Sequence, residues 1–143
     1  MTTRNCQVMP SSVEVWKPVV GYEGLYEVSD QGQVRSLPGE RWNGQAIHRF
    51  AGTALRPQCS GRYLHVALSS NGKVRSRRIH QLVADAFLPQ CPGVQGRQRG
   101  RYHIDHINDD PHDNRAANLQ WLTHYENTYL KAARSRDVMG RFQ

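Results

Sequence analysis

The sequence predicts an α+β protein built from a small N-terminal β-module, a middle β-hairpin with a short helix, and a C-terminal strand, loop, strand and helix. Three patterns carry that reading. Glycine-punctuated alternation of aromatic and β-branched residues with polar ones fills Trp16 to Leu37. Period-two alternation runs through Arg62 to Leu68 and returns as Lys73 to Ile79 after Ser70-Asn71-Gly72. A dense run of metal-binding and proton-transferring side chains, His103-Ile104-Asp105-His106-Ile107-Asn108, opens a polar loop that leads into a capped helix. The expected divisions are a loose lead-in over 1–12, the β-module over 13–52, the middle hairpin with helix and basic linker over 53–100, and the C-terminal unit over 101–143.

Composition bounds the partner before any motif is read. A net charge of +7 and a pI near 9.8 make a polyanion the expected partner. Cys6, Cys59 and Cys91 are odd in number and lack any C-x-x-C, which supports neither a disulfide framework nor a zinc ribbon and points to reduced cytoplasmic thiols. No apolar run reaches the ~18 residues of a membrane span, and Met1 to Pro10 holds no signal-peptide core. A protein acting in the cytoplasm, without membrane or small-molecule cofactor, is expected.

Taken in order, Met1 to Ser12 is polar and unpatterned. Asp30-Gln31-Gly32 is the expected turn between Tyr26-Glu27-Val28 and Gln33-Val34-Arg35, with Trp16, Tyr22 and Tyr26 as core aromatics. Pro38 to Gly52 reads as a long irregular connection. In the middle hairpin, Lys73, Arg75 and Arg77 share one side while Leu64, Val66 and Leu68 want the core. Two strand steps give these cations about the ~7 Å spacing of successive phosphates, so they are candidate DNA contacts. His80 to Phe87 is a short helix burying Leu82, Val83, Ala86 and Phe87, and Pro89 stops it. His80 reads as a packed or capping histidine. The flexible segment after it carries Arg97, Arg99 and Arg101, further candidates for holding a phosphodiester backbone.

Asp105 and His106 place a hard oxygen ligand beside a side chain that titrates near neutrality, the two components metal-assisted hydrolysis needs. Strands are expected over Arg101 to Ile107 and Asn118 to Leu122, flanking a loop of residues that bond their own backbone. Thr123 and Glu126 form a capping box, so a helix should run from His124 to about Arg134. Asn127 then sits in its first turn, where its side-chain carbonyl can share a metal with Asp105. Adjacent strand residues point to opposite faces, so Asp105 and His106 converge only if the strand twists or ends there. The rival ligand set pairs His103 with Asp105 by parity and adds His124, one helical turn before Asn127.

Trp16, Gly21 to Tyr26, Val28, Ser29, Gly32, Val34 and Ser36 resemble the modular N-terminal motif associated with phage nucleases. The basic strand followed by H-x-L-V-A-x-A-F and a proline resembles phage nucleases of the HNH class. Asp105-His106-Ile107-Asn108, Asp110, Asp113-Asn114-Arg115 and Asn118-Leu119 resemble the signature of HNH endonucleases of phage and intron origin, whose catalytic unit is a ββα-metal hairpin. The likeness runs from about Trp16 to Asn127.

That resemblance implies a homing-endonuclease-like enzyme that hydrolyses double-stranded DNA to 5′-phosphate and 3′-hydroxyl ends, using Mg²⁺ or Mn²⁺ as oxygen ligands favour. It implies Asp105 and Asn127 as metal ligands, His106 as general base, and Asn118 as the residue that orients it, directly or through backbone. Arg115 is assigned to the loop or to a phosphate. The resemblance further implies phage origin, action inside a host cell, and a monomer or homodimer. Two departures stand out: Asp109 replaces the usual glycine, and Asn127 replaces a frequent histidine, as in an H-N-N variant. Many homing relatives continue into a helix-turn-helix tail that this sequence lacks, so site recognition is expected from the β-modules or a partner. The alternative is a non-catalytic DNA-binding or regulatory protein on a degenerate HNH scaffold. A structural zinc module is disfavoured by the cysteine spacing.

Overall fold

Strand β1 (Trp16–Pro18), β2 (Tyr26–Ser29) and β3 (Val34–Ser36) pair antiparallel in that order. The computed structural model describes residues 13–96, 98 and 100–140; the predicted lead-in with Cys6, and Arg97 and Arg99, lie outside the described residues. The turn predicted at Asp30-Gln31-Gly32 forms, with the Gly32 N–H donating to the Ser29 carbonyl at 3.0 Å. The Ser29 hydroxyl accepts the N–H groups of Gln31 and Gln33 at 3.2 and 3.1 Å, so local polar chemistry closes the hairpin. Tyr22 is buried and Tyr26 packs against the core, its hydroxyl accepting the Ser69 N–H at 3.0 Å. Trp16 departs from the prediction: it is only half-buried, and the Arg35 guanidinium lies 3.8 Å from its ring centroid.

The expected irregular connection is instead a hairpin. Gly39–Trp42 (β4) and Ile47–Phe50 (β5) pair antiparallel, and the Asn43 side-chain oxygen accepts the N–H groups of Gln45 and Ala46 at 2.9 Å. Gly44 follows with φ +99°. The Asn43-Gly44 pair was the available turn signal. It was masked because neither face of this ribbon is buried, with Trp42, Ile47 and Phe50 all exposed, so no inward apolar alternation marks the strands.

Strand β6 (Gln58–Ser60), β7 (Tyr63–Ser70) and β8 (Lys73–Arg78) form the next antiparallel sheet. Helix α1 (Ile79–Phe87) follows directly, and Leu88 leaves it in extended conformation as the residue before Pro89 must. Its inward face uses Ile79, His80, Leu82, Val83 and Ala84; Ala86 and Phe87 are only partly buried. Strand β9 (Tyr102–His106), a 3-10 turn (Ala116–Asn118), β10 (Leu119–Thr123) and α2 (His124–Gly140) complete the chain. The second strand of this unit starts one residue later than expected because Asn118 closes the 3-10 turn, and α2 runs past the expected end at Arg134.

One core joins these parts. Val19 and Tyr22 of the β1–β2 connection and Val28 and Val34 of the N-terminal sheet meet Val66 and Leu68 of β7, Ile79, Leu82 and Val83 of α1, and Leu119 of β10. Helix α1 therefore anchors the C-terminal hairpin to the β1–β3 and β6–β8 sheets. Leu82→Ala removes fully buried volume at its centre and costs roughly 2–5 kcal/mol. No helix among the described residues is long and apolar enough to cross a membrane.

Candidate functional site

The C-terminal hairpin brings the densest polar group inside. In its register His106 faces Leu119 and Asp105 faces Gln120, and Asp105, His106, Asn114 and Asn118 are all buried. Gln120 Nε2 donates to Asp105 Oδ2 at 3.0 Å, fixing the carboxylate across the strand pair. His106 is the last residue of β9, so the chain turns away immediately beyond it. Both side chains consequently line one small pocket of about 50 Å³, with Arg62, Tyr63, His103, Asp109 and Asn127 on its walls. The two adjacent residues thus meet at one pocket although strand residues alternate in direction.

The loop between the strands is held by its own side chains. Asn118 Nδ2 donates to Asn108 Oδ1 at 3.0 Å and to the Asp113 carbonyl at 2.9 Å, while its Oδ1 accepts the Asn108 N–H at 3.0 Å. Asn118 thus spends its amide on the loop. The ring partner of His106 is Asn114, whose Oδ1 lies 2.8 Å from Nε2. A carbonyl oxygen accepts only, so with this amide orientation Nε2 carries the ring proton and Nδ1 is the basic nitrogen. Asn118 also reaches the chain next to His106, its carbonyl accepting the Ile107 N–H at 2.8 Å. In the sequence Asn114 lies in the polar loop between the two strands; its place beside the ring follows from the fold. Asp109 takes φ +62°, a left-handed turn position that aspartate tolerates, which explains why glycine is usual there.

Arg115 pairs Asp113 in fork geometry, with Nε to Oδ1 and Nη2 to Oδ2 each at 2.7 Å. That guanidinium holds the Asp113 carboxyl down at about 2, so the loop keeps this ion pair at neutral pH. Of the two roles assigned to Arg115, the loop clamp is the contact made here.

Three rings pack together beside the pocket. His80 stands edge-on to His106 with centroids 5.2 Å apart, and Tyr63 lies 4.9 Å from His80 and stacks on His106 at 6.0 Å. Burial, then the neighbouring His106 and Arg78, push the His80 pKa down to about 4, so it is neutral near pH 7. The sequence reading of His80 as a packed histidine agrees with its burial, but Tyr63 was not singled out. Only a strand-to-helix junction that folds back on the C-terminal hairpin brings the two rings to His106.

Helix α2 begins with the capping box: Thr123 N–H donates to Glu126 Oε1 at 3.0 Å, and Glu126 N–H donates to Thr123 Oγ1 at 3.1 Å. Asn127 follows in the first turn and lines the Asp105 pocket. Its Oδ1 is buried and has no hydrogen-bond partner among the described residues. Burying an amide oxygen unpaired costs about 1–3 kcal/mol, a penalty that a cation in the pocket removes. An aspartate oxygen and an amide oxygen form a hard donor set suited to Mg²⁺ or Mn²⁺, with remaining positions for water and phosphate. His124 lines a neighbouring cleft of about 550 Å³, and His103 and Asn127 line both.

Lys73, Arg75 and Arg77 do share a face. It is the face of Val66 and Leu68, because β8 pairs Arg77 with Val66, Arg75 with Leu68 and Lys73 with Ser70. Core and cations therefore share one face of the sheet on neighbouring strands, the apolar residues on central β7 and the cations on edge strand β8. These cations border a cleft of about 380 Å³ with Gly21 and Tyr22, and the Arg77 guanidinium lies 6.0 Å from the Tyr22 ring centroid. Arg101 is exposed beside Gly96, at the base of β9.

Residues 14–68 match the NUMOD4 motif, and residues 77–129 match an HNH endonuclease family. The chain belongs to the HNH endonuclease family and carries an N-terminal NUMOD4 motif. DNA endonuclease I-HmuI of Bacillus phage SP01 is 30% identical over 109 residues, 76% of this chain and 52% of that protein. An uncharacterized HNH endonuclease, L247, of Acanthamoeba polyphaga mimivirus is 31% identical over 130 residues, 89% of this chain and 27% of that one. A solved structure described as DNA binding and cleavage by the HNH homing endonuclease I-HmuI superposes with a TM-score of 0.64 at 28% identity, covering 85% of this chain and 59% of its own. This HNH chain thus spans about half the length of I-HmuI and about a quarter of L247. The HNH match contains Asp105, His106, Asn114, Asn118 and Asn127.

Proposed function

We propose that this protein is a divalent-metal-dependent endonuclease of double-stranded DNA that leaves 5′-phosphate and 3′-hydroxyl ends. The observation carrying this reading is Asn127, a wall residue of the pocket lined by Asp105 and His106, whose side-chain oxygen is buried with no partner among the described residues. Asp105, oriented by Gln120, and Asn127, oriented by the capped first turn of α2, would hold the ion. Bound there, Mg²⁺ or Mn²⁺ supplies Lewis-acid polarisation of the scissile phosphate and neutralises charge on the departing 3′ oxygen. His106 takes the proton of the attacking water at Nδ1, because Asn114 occupies Nε2. Tyr63 and His80 pack on the ring and limit its rotation. Asn118 orients the base indirectly, by fixing the loop that carries Asn114.

DNA contact is assigned to two groups of cations. Lys73 and Arg75 project from β8 beside the cleft shared with Tyr22, and Arg77 stands next to them; Arg97, Arg99 and Arg101 belong to the segment leading into β9. The net charge of +7 supports a polyanionic substrate. I-HmuI is described as binding and cleaving DNA, which supports the same substrate here. Plasmid nicking with Mg²⁺, with a chelator, and with His106→Ala tests the reading. The parent should nick only with metal and the alanine variant should not. A parent that binds DNA but never nicks, with Mg²⁺ or Mn²⁺, would establish the non-catalytic alternative.

A further inference from the structure

The N-terminal module reaches the catalytic loop at Asn114 and Ala116. A Cβ on Gly32 would lie 3.1 Å from the Asn114 Cβ, 3.1 Å from its carbonyl oxygen and 3.2 Å from its carbonyl carbon. Alongside this close approach, the Ala116 N–H donates to the Asp30 carbonyl at 2.8 Å. The turn making both contacts is rigid for local reasons: Ser29 is fully buried, its hydroxyl accepts two backbone N–H groups, and Asp30 exchanges backbone and side-chain bonds with Val15. Asn114 itself is only 4% exposed and has one face on this turn and its amide on His106.

We infer that the Ser29-to-Gly32 turn of the N-terminal module is a positioning element of the nuclease site, acting through Asn114 on the His106 ring. This inference rests on the reading of His106 as general base. It gives the NUMOD4 segment a part in the chemical step, separate from any grip on DNA. Gly32 is required twice at this junction: its φ of +86° disfavours other residues, and any side chain presses on backbone atoms of Asn114 that cannot swing aside.

Gly24 supplies the matched control. It lies in the same module with φ +82°, but a Cβ there meets nothing within 4 Å, so alanine brings the same backbone strain without the contact. Single-turnover cleavage at saturating protein, together with DNA affinity, should be measured for the parent, Gly32→Ala, Gly24→Ala and His106→Ala. Gly32→Ala should slow cleavage by roughly 10- to 100-fold, the scale of a sub-ångström to ångström misplacement, while DNA affinity stays within about two-fold. Gly24→Ala should cleave at the parental rate. Equal cleavage rates for the two glycine variants overturn the inference.

If circular dichroism shows that Gly32→Ala does not fold, Ala116→Pro decides instead. It deletes the N–H that reaches Asp30 at a position where proline is tolerated, since Ala116 opens a 3-10 turn and Arg115 is already extended at φ −64°, ψ 142°. Slower cleavage with unchanged affinity supports the positioning role, and a parental rate overturns it. The His106→Ala arm separates the two levels. If that variant is inactive and the turn variants are parental, only the positioning role fails; if it cleaves like the parent, the general-base reading fails and the inference with it.

Discussion

The C-terminal hairpin and the β7–β8 hairpin both offer functional side chains on short antiparallel strands, yet they are fixed by opposite means. In the first, Asp105, His106, Asn114 and Asn118 are buried and joined to neighbours by hydrogen bonds of 2.8–3.0 Å. In the second, Val66 and Leu68 of β7 are buried while Lys73 and Arg75, on the same face of edge strand β8, are exposed. Chemistry at a reacting atom needs one geometry, which polar burial enforces. Phosphate contact tolerates many geometries, which long exposed side chains provide.

Mutations should divide along that line. His106→Ala should lower the single-turnover cleavage rate by about 10²- to 10⁴-fold without weakening DNA binding, as expected for loss of a general base. An effect on affinity alone would move His106 out of the chemistry. Asn118→Ala should come next, with cleavage reduced roughly 10- to 100-fold, because the loop loses the side chain that holds Asn108 and Asp113. Retention of full activity would mean that the Asp113–Arg115 pair alone holds the loop.

On the β7–β8 side the expected change is in binding. Arg75→Ala and Arg77→Ala should each reduce the slope of log affinity against log salt by about 0.9, if each neutralises one phosphate, while cleavage at saturation is unchanged. An unaltered slope would remove these residues from the DNA interface.

A smaller effect separates the two regions by pH. The His80 pKa is near 4 in the folded protein against an ordinary 6.5, so the unfolded chain binds the extra proton as pH falls through that window. Stability should therefore be unaffected by this group above pH 6.5 and decline by at most ~3 kcal/mol toward pH 4. Chemical denaturation of His80→Phe across that range should show a flatter profile than the parent. An equally steep profile would assign the acid sensitivity elsewhere.

How much was readable beforehand follows from the same contrast. Alternation, turn glycines and the Thr123–Glu126 capping box are local signals, and they located the hairpins and the start of α2. The β4–β5 ribbon escaped because its strands bury nothing, leaving only the Asn43-Gly44 turn as a cue. Asp105, His106 and Asn127 were reached through the motif, and the fold places all three on one pocket. Asn114, Tyr63 and Gly32 acquire their positions from contacts made by different elements, 8 residues apart for Asn114 and His106 and far more for the others. No local pattern encodes such pairs. The face shared by Lys73, Arg75 and Arg77 was legible from parity, whereas its coincidence with the Val66 and Leu68 face depended on cross-strand register.

The central claim, an ion shared by Asp105 and Asn127, is tested most directly by adding substoichiometric Mn²⁺ to isotope-labelled protein and following amide resonances by NMR. Selective broadening should appear first at Asp105, His106 and Asn127 and disappear in Asp105→Ala. Uniform broadening, or broadening centred on His103 and His124 and retained in Asp105→Ala, would contradict it.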